Sequence, residues 1–149
     1  MWLKLFKKRG GLKDGVKLTG VIEITVIGKD GKVKERRRVK NTVTSAGKTA
    51  IAQLIVGLRT TPFKYIGIGS GTPSESGLGN PLEYQSATVS ADGGASWEAT
   101  FTADASWSVT EAVICDSSSG GTVLAYQSFS AVNLSAGDQI KINWTLTIS

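Results

Sequence analysis

The sequence predicts a mainly β protein, an antiparallel β-sandwich of jelly-roll or immunoglobulin-like type with one short helix near residues 45–57 and an extended N-terminal arm. Segments rich in β-branched and aromatic residues recur at short intervals and are separated by turn residues such as Asp92-Gly93-Gly94. The segment 139–149 alternates strictly, which is typical of a strand with one buried face. Its apolar positions are Ile140, Ile142, Trp144, Leu146 and Ile148.

Residues 1–15 combine apolar and basic side chains, and Gly10, Gly11 and Gly15 disfavour a continuous local structure, so we interpret them as a basic amphipathic arm. Residues 16–149 are then expected to form one domain. The arm has no apolar stretch long enough for a signal peptide or a membrane span.

A basic hairpin is expected over residues 16–40, because two β-rich segments flank the turn signal Asp30-Gly31. Alternate residues of a strand share a side, so four cations of the second strand should project from one face. They face either solvent, as charges that protect an edge strand from aggregation, or an acidic partner. These residues are Lys34, Arg36, Arg38 and Lys40.

The only helical pattern lies in residues 41–58. Thr44 or Ser45 can begin the helix as its N-cap, and Gly57 and Pro62 favour its end. The apolar residues at helical spacing predict a helix that covers an open side of the sheets. They are Ala50, Ile51, Leu54, Ile55 and Leu58.

The remaining body, residues 63–149, is predicted to be rich in strands. A buried strand over 63–69 precedes a long loop, 70–81, and loops of that length are commonly functional or flexible. Further strands are expected over 83–90, 96–102, 106–115, 122–129 and 139–149. In the strand 106–115, alternation places Trp107 on the same face as Val109 and Val113.

Charge divides the chain into two unlike parts. Residues 1–59 contain 15 Lys and Arg against four acidic residues, a net charge of +11, whereas residues 60–149 contain two against eight, a net charge of −6. Such a division indicates a basic region that binds an acidic polymer, or head-to-tail contact between copies. The single cysteine, Cys115, allows no internal disulfide and favours a reducing compartment.

Residues suited to catalysis are scarce. Histidine is absent, which removes the usual general base and the common zinc and copper sites. Gly67, Gly69 and Gly71 do not complete a phosphate-binding motif. Cys115 lies in an apolar run and is expected to be a small buried side chain. We therefore expect no enzyme, catalytic residue, cofactor or metal site.

Two other side-chain groups could form a site. Four carboxylates have no spacing that selects a catalytic pair, and each is expected in a turn or on a solvated face. They are Glu83, Glu98, Glu111 and Asp116. The aromatic residues could form a sugar-binding platform, but their alternation with apolar neighbours favours core packing. They are Tyr84, Trp97, Trp107 and Tyr126.

Four motifs resemble those of small structural proteins of tailed viruses of bacteria or archaea, of the tail-fibre-like or virion-decoration type. The N-x-V-T-x-x-G pattern spans 41–47, and Y-I-x-x-G-x-G spans 65–71. T-E-A occupies 110–112, and G-D-x-I-x-I-x-W spans 137–144. The likeness covers about residues 20–149 and implies a structural role in a virion, after synthesis in the host cytoplasm.

The resulting expectation is a non-enzymatic virion protein that forms a symmetric homo-oligomer, such as a trimer, and decorates or cements a capsid or builds a tail appendage. Its partners would be further copies and other virion proteins. The alternatives are nucleic-acid binding through the basic region and adhesion to host glycans through the loop 70–81. The candidate assembly contacts are Trp2, Leu5, Phe6, Lys7, Lys8, Arg9, Lys34, Arg36, Arg38 and Lys40.

Overall fold

A computed structural model describes residues 17–149. The candidate contacts Trp2, Leu5, Phe6, Lys7, Lys8 and Arg9 lie outside the described residues. The described part contains nine strands and one helix. In chain order these are β1 (Leu18–Ile27), β2 (Val33–Thr42), α1 (Ser45–Ile55), β3 (Tyr65–Gly69), β4 (Pro81–Ser86), β5 (Thr88–Ala91), β6 (Gly94–Thr102), β7 (Trp107–Ser117), β8 (Gly120–Leu134) and β9 (Gln139–Ile148).

The strands form two antiparallel sheets, which confirms the predicted sandwich with one helix. Sheet A has five strands in the order β2-β1-β9-β6-β5, and sheet B has four in the order β4-β3-β7-β8. Strand β9 lies between β1 and β6, where Ile22 and Trp97 both pair with Trp144. The apolar face of β9 is buried from Ile140 to Leu146, as its alternation predicts.

Helix α1 begins where the sequence predicts and packs on strand β8. The side-chain oxygen of Thr44 accepts a hydrogen bond from the backbone N–H of Gly47 at 2.9 Å, so Thr44 is the N-cap. Gly47 and Ala50 are buried. A Cβ atom at Gly47 would lie 2.1 Å from the carbonyl oxygen of Leu124 in β8, so only glycine permits this close approach.

The buried face of α1 is narrower than the sequence predicts. Ile55 is 79% exposed and Leu58 is 81% exposed, whereas both were expected to face the core. The contact with β8 is centred on Gly47, and Ile55 lies roughly 80° around the helix from that residue. Leu58 lies beyond the end of the helix and is therefore not part of its apolar face. Ile51 and Leu54 are half-buried.

The predicted single strand over 83–90 is instead two strands in different sheets. Strand β4 pairs with β3 in sheet B, and β5 pairs with β6 in sheet A. Ala87 lies between them and donates its backbone N–H to the carbonyl of Lys64 at 2.7 Å. Lys64 directly precedes β3, so this hydrogen bond is the last one between β3 and the segment that contains β4. After Ala87 the chain crosses from sheet B to sheet A.

Strand β7 contains an irregularity that changes which residues face the core. Its pairing with β8 shifts register between Val109 and Glu111. Val109 lies in the main core, whereas Val113 lies in a separate cluster with Cys115. The expectation that Val113 shares a face with Trp107 and Val109 is therefore wrong, because the alternation of β7 reverses at this register shift, after which Ala112 faces the main core.

Candidate interaction surfaces

Strand β2 is an edge strand of sheet A and presents a row of cations on its outer face. Lys34, Arg36, Arg38 and Lys40, here called the cationic row, are all exposed, as the alternation predicts. The ammonium of Lys34 lies 3.4 Å from the carboxylate of Asp138, and Arg38 lies 3.7 Å from Glu23. Within residues 17–149, Arg36 and Lys40 have no carboxylate within 4.0 Å.

Arg37 points to the opposite face of β2 and connects the two sheets. Its guanidinium donates hydrogen bonds to the carbonyls of Ser130 and Ala131 in β8 and pairs with Glu35. The side chain of Asn41 makes a second such connection, because its amide donates to the carbonyl of Tyr126 at 3.3 Å. Arg37 is thus engaged within the fold, and only Arg36 and Arg38 of the arginine triplet face solvent.

Asp138 organises the turn between β8 and β9 beside the cationic row. Its carboxylate accepts the backbone N–H of Ser135 at 2.9 Å and lies next to Lys34. The Ser135 hydrogen bond, together with the charge of Lys34, lowers the pKa of Asp138 from its ordinary value. The stabilisation from this carboxylate is therefore present above its unfolded-state pKa and is lost as pH falls through the folded-state pKa.

Glu111 is completely buried, which contradicts the expectation of a turn or a solvated position. Its carboxylate accepts three backbone N–H groups of the loop between β3 and β4: those of Gly71 at 2.6 Å, Gly79 at 2.7 Å and Asn80 at 2.9 Å. The hydroxyl of Thr110 donates to the carbonyl of Gly71 at 2.7 Å. The T-E-A and Y-I-x-x-G-x-G motifs therefore meet at one structural centre.

The other three carboxylates do not combine into a catalytic pair. Asp116 forms an ion pair with Arg59 at 2.9 Å, and Glu98 pairs with Lys141 at 3.2 Å. Glu83 accepts a hydrogen bond from Gln85 at 3.0 Å. Within residues 17–149, no group of three or more potential metal-ligating side chains is present.

The loop held by Glu111 covers part of the outer face of sheet B. Val113, Cys115 and Val123 are buried there, and Leu78 of the loop packs against this cluster together with three tyrosines. These are Tyr65, Tyr84 and Tyr126. Tyr84 and Tyr126 therefore contribute to packing, and the same holds for Trp97, whose indole N–H donates to the carbonyl of Phe63 at 2.7 Å inside the main core.

Cys115 is expected to react very slowly with thiol reagents in the folded protein. Burial raises the pKa of its thiol to about 11 and outweighs the lowering effect of the hydrogen bond with the Ser117 backbone. Titration with a disulfide reagent at pH 8 should modify Cys115 at least tenfold faster in denaturant than in buffer. Equal rates in the two conditions would contradict its burial.

An apolar groove opens between the end of α1 and the inner face of sheet A. It encloses about 230 Å³. Among the residues that line it, Ile148 is 53% exposed. Three further exposed apolar side chains, Ile55, Val56 and Leu58, follow the lining residue Leu54 in the chain. The groove is lined by Leu18, Ile51, Leu54, Phe63, Ala95, Trp97, Leu124, Leu146 and Ile148.

A search for membrane-spanning helices and comparisons with known proteins add no further candidate site. The part of the chain that the structure describes has no helix with the length and apolar character needed to span a membrane. Comparisons of this chain with protein-family models, with curated proteins and with solved structures find no match.

Proposed function

We propose that this chain is a non-enzymatic structural protein that assembles into a symmetric oligomer with copies of itself and binds other structural proteins. The observation that supports this most directly is the apolar surface at the end of α1. Ile55, Val56 and Leu58 are each at least 68% exposed, and they follow Leu54, which lines the apolar groove, in the chain. Contiguous exposed apolar surface of this kind is typical of protein interfaces.

The cationic row is the second surface of this assembly. It faces solvent from an edge strand, and two of its four members have no acidic partner among the described residues. Residues 60–149 have a net charge of −6, so the row of one copy can dock on the acidic body of another. The basic residues Lys7, Lys8 and Arg9 add to the same charge.

The setting we propose is a virion, where the protein decorates or cements the capsid or forms part of a tail appendage after synthesis in the host cytoplasm. The resemblance of four sequence motifs supports this setting. Three of them have structural roles here: Thr44 begins the helix, Glu111 holds a loop, and Asp138 organises a turn. Motifs with such roles suit a scaffold better than a catalyst.

The cationic docking can be tested by charge reversal. The double variant Arg36→Glu and Lys40→Glu is expected to lose oligomers in light scattering at 0.1 M salt while its melting temperature changes little, because both side chains are exposed. The double variant Lys32→Glu and Lys48→Glu is the control, since it makes the same charge change outside the row. Equal assembly of both variants would contradict docking through the row.

Nucleic-acid binding remains the alternative for the same surface, because Arg36 and Arg38 face solvent. A titration with DNA at two salt concentrations separates the two functions. Binding at low salt that the row variant loses and the control retains would favour nucleic acid. Absence of binding at low salt, together with assembly of the unmodified protein, would favour the scaffold.

A further inference from the structure

We propose that the apolar groove receives the N-terminal apolar residues of a second copy, so that two copies exchange their N-terminal segments. This inference rests on the proposed self-assembly and names the site through which it occurs. The residues that would occupy the groove are Trp2, Leu3, Leu5 and Phe6.

The groove has the size and the chemistry for an aromatic side chain. All nine of its lining side chains are apolar, and it encloses about 230 Å³. Buried apolar cavities of about 150 Å³ accommodate a benzene ring. Ile148 and Leu54 on its rim would lose exposed surface when a ring enters, which favours binding.

The N-terminal segment starts at the groove itself. Lys17 exchanges two backbone hydrogen bonds with Ser149, at 2.8 and 3.0 Å, and the next residue, Leu18, lines the groove. Ten residues lie between Phe6 and Lys17, so the chain from one to the other can span up to about 40 Å. The segment can therefore reach the groove of a neighbouring copy.

This placement favours a closed pair. Because each copy has its groove and the origin of its N-terminal segment at the same end, two copies that face each other across a two-fold axis can exchange segments reciprocally. Such an isologous contact satisfies both grooves at once and leaves no open end for further addition.

The length of the segment favours the groove of a second copy over the groove of the same chain. A return to its own groove requires the chain to reverse direction within the ten residues between Phe6 and Lys17, whereas an extended segment enters the groove of a facing copy without that reversal.

Disulfide trapping in the full chain tests the exchange. Chains with Trp2→Cys are mixed with chains with Ile148→Cys and oxidised, and disulfide-linked dimers are followed on a non-reducing gel. We expect these dimers to form at least tenfold faster than in the matched mixture with Val33→Cys, because Val33 is similarly exposed (49% against 53%) and does not line the groove. Equal rates in the two mixtures would overturn the proposal.

The double variant Trp2→Cys and Ile148→Cys in one chain separates the two possible occupants. Disulfide-linked dimers support exchange between copies. A faster-migrating monomer with an internal disulfide would overturn the second-copy assignment, because the segment would then occupy the groove of its own chain.

A charged substitution distinguishes this inference from the proposed function. Ile148→Asp is expected to convert oligomers to monomers in light scattering, whereas Val33→Asp should leave them assembled, with both variants retaining the β signal in circular dichroism. If Ile148→Asp still assembles, the groove is not the contact, although self-assembly stands. A concentration of about 0.5 mM is ample for a stable dimer to form. If the unmodified protein is still monomeric at that concentration, both the proposed self-assembly and the exchange are wrong.

Discussion

Replacing Glu111 with Gln is expected to lower the free energy of unfolding by about 3 kcal/mol. One carboxylate oxygen accepts the N–H groups of Gly71 and Asn80, and the other accepts that of Gly79. A glutamine side chain must place its own N–H₂ group against one of these donors, so at least one buried N–H loses its acceptor. Urea denaturation measures the loss.

The effect should be concentrated in the loop between β3 and β4. Hydrogen exchange of the backbone amides of Gly71, Gly79 and Asn80 is expected to accelerate more than that of β9 amides. Glu98→Gln is the matched control. Glu98 forms only an exposed ion pair with Lys141, so its replacement should change stability by about 1 kcal/mol or less. Similar losses in the two variants would show that Glu111 does not hold the loop.

Replacing Gly47 with Ala is expected to lower the free energy of unfolding by about 2 kcal/mol. Helix propensity alone predicts the opposite, a gain of about 1 kcal/mol, because alanine favours the helix more than glycine does. The tertiary contact decides the sign, since a Cβ atom would lie 2.1 Å from the backbone oxygen of Leu124 and the helix would have to move away from β8.

Thr49→Ala provides the comparison for Gly47→Ala, because Thr49 is an exposed residue of the same helix and its replacement raises propensity without a contact to β8. Thermal unfolding of the two variants should therefore shift in opposite directions. A stabilised Gly47→Ala protein would mean that α1 does not pack on β8 at this distance.

The Glu111 and Gly47 contacts also bear on the proposed assembly. The position of α1 on β8 determines the groove, because Ile51 and Leu54 form one wall of it. If Gly47→Ala displaces the helix, this wall would move away from sheet A and the groove would become wider. Glu111 acts on the outer face of the other sheet, and its loss should leave the groove unchanged. Assembly should thus respond to the first substitution more strongly than to the second.

Local patterns in the sequence were sufficient for most of the fold. Alternation in β9 identified its buried face, and Asp30-Gly31 located the first hairpin turn. Thr44 identified the start of the helix because N-capping depends on residues only three apart. The exposed face of Arg36, Arg38 and Lys40 followed from the same alternation, because β2 pairs regularly with β1 from Glu35 to Thr42, whereas Lys34 lies at a register shift.

The sites that depend on contacts between distant segments could not be predicted in this way. Glu111 was expected near solvent, yet it follows a register shift between β7 and β8 and faces a loop more than 30 residues earlier in the chain, where three N–H groups donate to its carboxylate. The exposure of Ile55 and Leu58 likewise could not be predicted, because the spacing of apolar residues in a helix does not show which of them a neighbouring strand covers.

The class of fold, the helix α1 and its first turn, the outward row of cations and the division of charge can all be predicted from the amino-acid sequence, because each depends on residue types and on the spacing of neighbouring residues. The packing of the two sheets is needed to see that Glu111 organises a loop, that Arg37 joins the sheets, and that an apolar groove opens where the chain enters β1. These features require surfaces that come together only when the two sheets pack, and no local spacing encodes them.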